Sequence, residues 1–142
     1  MLNSALRERR VFIDSSAFYA LLERDDEQHW TATAIAARLE STRASLFTTN
    51  FVIAESHGLF LSRSGRRSAR EYLASTEDSK IEVVRASPED ELLARSIIYR
   101  YTDKEYSLVG AISFAVMERL SIRTAFAFDR DFVRYGFQPA RP

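Results

Sequence analysis

The chain contains no cysteine, which excludes a disulfide framework, a thiolate zinc site and a cysteine nucleophile. Histidine is nearly as scarce. With only His29 and His57, a histidine-rich zinc or iron centre finds no support, and any metal must sit mainly on oxygen, which favours Mg²⁺ or Mn²⁺. Four glycines and three prolines among 142 residues leave little room for linkers or low-complexity stretches, and no internal repeat is present. A run of about 18 apolar residues, the signature of a membrane-spanning helix, occurs nowhere. Residues 1–10 are polar, carry four charges and lack the apolar core of a signal peptide. A cytoplasmic protein is expected. Charge of one sign is also missing: the formal net charge is zero, so no whole-molecule field draws the chain to nucleic acid or membrane. Lysine is reduced to Lys80 and Lys104 against 18 arginines, a bias that fits either composition or phosphate recognition.

What is present is ordinary for a folded protein. Hydrophobic residues make up 46% and charged residues 28%, close to the globular average. A chain of 142 residues buries roughly two thirds of the surface its unfolded form exposes. One domain over residues 1–142 is expected.

Residues 11–14 (VFID) form an apolar run that ends in an acid, the pattern of a strand buried on both faces. Ser15 and Ser16 then offer an N-cap for a helix through Leu22. Spacings of three and four place a second helix over 27–42, followed by a brief strand at 45–49. Asn50 is a candidate cap for a helix over 51–63, and Gly65 separates it from another over 66–76. A strand at 81–84 leads to Pro88 in the first turn of a helix reaching about residue 101. Ser107 caps an apolar helix to residue 120, and 123–129 (RTAFAFD) reads as a second buried strand ending in an acid. Strands alternating with helices predict a three-layer α/β/α domain around a central parallel sheet. Ligands of such sheets bind beyond the carboxyl ends of the strands. Asp14 and Asp129 belong at that edge.

Two more acids enter the constellation. Glu55 shares apolar spacing with Phe51, Val52 and Leu59, which places it on the core side of its helix. A buried carboxylate requires a hydrogen-bond partner, a cation or a raised pKa. Asp103 lies just ahead of the Ser107 helix, where a turn feeds the same sheet edge. Converging carboxylates repel unless a divalent cation neutralises them. Asp131 has a structural role available as a brace of the loop after Asp129, Asp25 and Asp26 read as a solvated loop, and both histidines read as structural. No G-x-G-x-x-G, no G-x-x-x-x-G-K-[ST] and no G-x-S-x-G occurs, which removes dinucleotide binding, P-loop binding and a serine nucleophile elbow.

Read in order, DSSAFYALL at 14–22, TTNFVIAE at 48–55, YTDKEYSLVGAISFAVM at 101–117 and AFAFDRDF at 125–132 resemble the PIN-domain ribonucleases, in particular VapC-type toxins of toxin–antitoxin systems. The resemblance spans nearly the whole chain. It implies an acidic quartet holding Mg²⁺ or Mn²⁺ for RNA phosphodiester hydrolysis, with Asp14, Glu55 and Asp129 matching three of its members. It further implies RNA as substrate and a cognate antitoxin protein as partner. Ser16, Thr49, Asn50, Ser107 and Asp131 are candidates to support the ligands. Arg63, Arg66, Arg67 and Arg70 are candidates to meet RNA or a protein partner, and a homodimer is expected from the apolar content of the helices over 27–42 and 51–76.

The fourth member departs. The family places aspartate three residues after the serine of an S-x-x-D motif, and here Ser107 is followed by Gly110. Glycine inside a helix costs up to about 1 kcal/mol relative to alanine, and nothing nearby asks for positive φ. Position 110 therefore reads as a vacant ligand position, through natural loss or an introduced substitution, with Asp103 as a partial replacement. Two functions follow: a metal-dependent endoribonuclease weakened at Gly110, or a non-catalytic module that keeps the fold to bind RNA or antitoxin.

Overall fold

A computed structural model describes residues 9–142; residues 1–8, most of the polar N-terminal run, lie outside the described residues. The first apolar run forms β1 (Arg10–Ile13), and helix α1 (Ser15–Leu22) follows at once. The remaining elements are α2 (His29–Ser41), β2 (Ser45–Thr49), α3 (Asn50–Ser64), α4 (Arg66–Glu77), β3 (Glu82–Val84), α5 (Pro88–Arg100), α6 (Leu108–Arg119), β4 (Thr124–Phe126), α7 (Asp131–Tyr135) and β5 (Gln138–Pro139). The five strands pair in the order β3-β2-β1-β4-β5, every pairing parallel. The expected α/β/α architecture is the one observed. Among the described residues no helix is long and apolar enough to cross a membrane.

Parallel central strands are buried on both faces, and β1 shows it: Val11 and Phe12 are fully buried, as is Phe126 of β4 beside them. Every residue from Ala111 to Met117 of α6 is buried, the mark of a helix surrounded by protein rather than lying on it. Phe114 of that helix stacks on Tyr135 at 4.5 Å between ring centroids and meets Phe132 edge-on at 5.1 Å. Short α7 and β5, absent from the sequence reading, exist because Phe132 and Phe137 insert into this cluster. Their pattern is too short to show a period.

Helix starts differ in detail from the sequence reading. Asp14, not Ser15 or Ser16, caps α1 by accepting from the backbone N–H of Ser16. Thr49, not Asn50, caps α3 by accepting from Val52 N–H, while Asn50 accepts from Ala86 N–H beyond β3. Ser107 caps α6 as expected, through Gly110 N–H at 3.0 Å. Strand β4 stops at Phe126 rather than continuing to Asp129.

Helix α5 opens with a reciprocal capping box between Ser87 and Asp90. Asp90, buried, also receives Nε and Nη2 of Arg119 at 2.9 and 2.8 Å, tying α5 to α6. Burial alone pushes the Asp90 carboxyl up, but the bonds from Arg119 and Ser87 outweigh it and hold the group below its usual range. Stability from this pair is therefore present at neutral pH and lost as acid titrates the native carboxylate. Arg119→Ala should destabilise by about 2 kcal/mol at neutral pH, since the buried Asp90 carboxylate loses its charged hydrogen-bond donor. In urea unfolding, the gap between variant and parent should narrow in acid.

Candidate active site

The chain returns after β3 to the other side of β1, so the topological switch lies between β1 and β4, where open α/β sheets bind ligands. Asp14 stands there. Its backbone N–H bonds the Phe126 carbonyl at 3.0 Å, and its side chain accepts from Ser16 Oγ at 2.7 Å. Ser16 Oγ in turn accepts from Phe128 N–H at 2.9 Å. The carboxylate is thereby locked to both strand ends and is only 5% exposed. Burial pushes its pKa up to about 6 from an ordinary 3.8; the Ser16 bonds oppose this and the Glu55 charge adds to it.

Glu55 corrects the sequence reading. The buried face of α3 is Val52, Ser56 and Phe60, one step away from the stripe inferred from Phe51, Val52 and Leu59, and Glu55 is exposed to a cleft instead. Ser15 Oγ donates to its Oε1 at 2.6 Å. The buried acid of the pair is thus Asp14, and the reachable one is Glu55. Asp129 lines the same cleft of about 540 Å³, exposed, with Oδ1 accepting from Asp131 N–H at 2.9 Å. Arg63 sits at its wall with the guanidinium 5.2 Å from the Tyr19 ring centre.

Other candidates fall elsewhere. Asp103 is exposed, is paired with Lys104 at 2.7 Å and does not line the cleft. The Lys104 ammonium holds its carboxyl below the usual range. A position ahead of α6 in sequence did not carry it to the acids in space. Thr49, Asn50 and Ser107 serve helix caps and loop anchoring, and Asp131 pairs with Arg134 at 3.4 Å. Of the four arginines only Arg63 borders the cleft; Arg66, Arg67 and Arg70 lie exposed on α4, where Arg67 pairs with Glu71. Asp26, read as solvated, is half-buried on the cleft wall. His29 is structural, its Nδ1 2.8 Å from the Ala20 carbonyl. Ser15 is the partner the sequence reading missed. Its signal was adjacency: the residue after a strand-end acid begins the helix facing α3.

The donor set has the chemistry of a hard divalent cation site: oxygen only, with Asp14 and Glu55 electrostatically coupled and no described cationic side chain paired with either. Among the described residues no three acids or histidines stand close enough together to form a metal cluster. Gly110 has no positive φ, and apart from Ser107 Oγ at 3.1 Å nothing lies within 4 Å of where a Cβ would project. Position 110 has room for a side chain. The analogous approach is already accommodated at Ser87 and Asp90, where the same S-x-x-D spacing carries an aspartate.

A strand-end acid at the switch point, opposed by a second acid on α3, belongs to a family that comparison identifies: residues 11–138 match the PIN domain, and the chain is a member of that family. It is 35% identical over 132 residues to the 23S rRNA-specific endonuclease VapC20 of Mycobacterium tuberculosis, in strains CDC 1551 / Oshkosh and H37Rv, covering 93% of this chain and 98% of the relative. The crystal structure of M. tuberculosis VapC20, described as a sarcin–ricin loop cleaving toxin, superposes with a TM-score of 0.87 at 35% identity, over 93% of this chain and 99% of that one. The chain is a homologue of VapC-type PIN endoribonucleases, which are hydrolases.

The raised Asp14 pKa has a sign that can be measured. The native state holds the proton more tightly than the unfolded chain, so in metal-free protein stability falls as pH rises from 3.8 to about 6. The full difference is worth about 3 kcal/mol. Asp14→Asn should remove this decline and raise the melting temperature of EDTA-treated protein at about pH 7. Thermal melts of both proteins across that range are the check.

Proposed function

We propose that the chain is a divalent-metal-dependent endoribonuclease toxin, with residues 1–142 forming one PIN-like domain and Mg²⁺ or Mn²⁺ as the cation. The observation that carries this reading is that buried Asp14 and exposed Glu55 line one cleft at the carboxyl end of β1, beside the β1/β4 switch. The substrate class suggested by the names of the relative and of its crystal structure is a loop of large-subunit ribosomal RNA. Asp14 and Glu55 would hold the cation, with Asp129, which lines the same cleft, as a further oxygen donor. Once bound, the cation supplies Lewis acidity toward a phosphate oxygen and toward water.

The chain's own residues do the rest. Ser16 and the Phe128 backbone fix the Asp14 rotamer, so its oxygens point one way. Glu55, steadied by Ser15 and open to the cleft, is placed to accept the proton of an attacking water. Arg63 at the wall is placed to take a phosphate oxygen.

Gly110 weakens this centre by leaving it one carboxylate short. A second reading, a PIN-fold module that binds RNA or antitoxin without cleaving, is favoured by the lack of a three-acid cluster among the described residues. One comparison separates the two. Gly110→Asp should tighten Mn²⁺ binding by calorimetry by at least about 10-fold and raise cleavage of a large-subunit rRNA stem–loop in parallel, while Glu55→Gln in that background abolishes cleavage. Mn²⁺ binding by neither protein, with RNA still bound, would favour the module.

For partners, we infer an antitoxin protein and a second copy of the chain. Leu22 of α1, Trp30 of α2 and Leu61 of α3 are 49%, 75% and 48% exposed, apolar surface of the kind that interfaces cover. Light scattering at micromolar protein should give the dimer mass; a monomer throughout would refute the self-association.

A further inference from the structure

A cavity larger than the acidic cleft lies at the end of the sheet opposite the acids. It encloses about 1020 Å³, and five arginines border it: Arg9, Arg38, Arg43, Arg123 and Arg141. No carboxylate lines it among the described residues. The arrangement follows from topology. Arg9 immediately precedes β1, Arg43 precedes β2 by two residues and Arg123 immediately precedes β4, and these three strands are neighbours in the sheet. Adjacent strands lie only about 5 Å apart, so three cationic side chains leave from neighbouring strand ends, where like charges repel.

Nothing described relieves that repulsion. Among the described residues no carboxylate pairs with Arg9, Arg43, Arg123 or Arg141. The Arg38 guanidinium donates to the Arg141 carbonyl at 3.3 Å, which brings the segment after β5 to the cavity wall. Arg43 adds a second observation. Its φ is 54°, a left-handed conformation just past the end of α2 where glycine or asparagine is the ordinary occupant. An arginine stands there at the cost of strain.

We propose that this cavity is a second RNA contact, binding backbone phosphates of the same substrate at the edge of the sheet remote from the cleft. The proposal deepens the endoribonuclease reading and rests on its RNA substrate. Guanidinium groups present a planar fork that matches two phosphate oxygens, and all five cations here are of that kind. The chain has no net charge, and its cleft is lined by Asp14, Asp26, Glu55 and Asp129, which repel a polyanion until a cation is bound. Arg63 is the one basic residue lining that cleft among the described residues, so further attraction for RNA has to come from elsewhere on the molecule. From Arg9 to Asp14 the chain runs five residues along β1, roughly 17 Å at strand geometry. A short single strand in the cleft does not span that distance, whereas a folded RNA can contact both edges.

The test reads binding in EDTA, so a chain without nuclease activity leaves it intact and failure of the catalytic reading is told apart from failure of this one. Arg43→Gln/Arg123→Gln is compared with Arg95→Gln/Arg100→Gln, which removes the same charge from exposed positions of α5, with circular dichroism to show that each keeps its fold. The probes are a large-subunit rRNA stem–loop and a labelled tetranucleotide. The cavity variant should weaken stem–loop binding about 10-fold and reduce the slope of log K against log salt by about 2, one contact per arginine. Tetranucleotide binding, and both bindings in the α5 variant, should stay as in the parent. No stem–loop binding by the parent, an unchanged stem–loop affinity in the cavity variant, or equal weakening in the α5 variant would overturn the proposal. So would an arginine dependence confined to inorganic tripolyphosphate, or to a polyglutamate peptide, because the site would then serve a small phosphate or an acidic protein instead of RNA.

Discussion

The structure is organised around one costly placement, a carboxylate buried at the exit of the central strand. Asp14 is held by Ser16, and Ser16 by the Phe128 backbone, so a single hydroxyl connects the ends of β1 and β4. The same aspartate caps α1, which sends that helix off at the angle that presents Ser15 to Glu55. Burial without a counter-charge is unfavourable for the ionised form. A fold that keeps such a group beside a second acid is built for something that neutralises both.

Around that point the rest of the molecule supplies rigidity. The buried run of α6 and the rings of Phe114, Phe132, Tyr135 and Phe137 hold the segment after β4 against the core, which fixes where Asp129 emerges. The Asp90–Arg119 fork fastens α5 to α6 on the outer side. Charge is distributed unevenly along the sheet: acids gather at its carboxyl edge and arginines at its amino edge. A neutral chain thereby acquires a strongly polar surface.

Much of this was legible in the sequence because the signals were local. A four-residue apolar run ending in Asp14 reads as a central strand and its exit, and Ser107 reads as a cap because its side chain needs only Gly110 three residues on. Glu55 was mis-phased. Phe51 and Leu59 look like core residues by type, yet the face that is buried is set by Val52, Ser56 and Phe60 packing in three dimensions, and a buried serine carries no hydrophobic signal. Asp103 failed for a related reason: nearness to α6 in sequence says nothing of the direction in which the preceding turn points, and its neighbour Lys104 claims it. The arginine cavity was invisible, since Arg9, Arg43 and Arg123 are far apart in the chain and meet only through the parallel pairing of β2, β1 and β4. Gly110 was the opposite case, a departure visible in the sequence that the structure leaves free of any conformational demand for glycine.

Asp14 and Glu55 should together hold a divalent cation. Crystals soaked in Mn²⁺ and measured for anomalous scattering test it most directly. A peak is expected between the Asp14 and Glu55 carboxylates, in contact with both, and it should disappear in Asp14→Asn. No peak at saturating Mn²⁺, or one seated on other residues with the cleft empty, would contradict it.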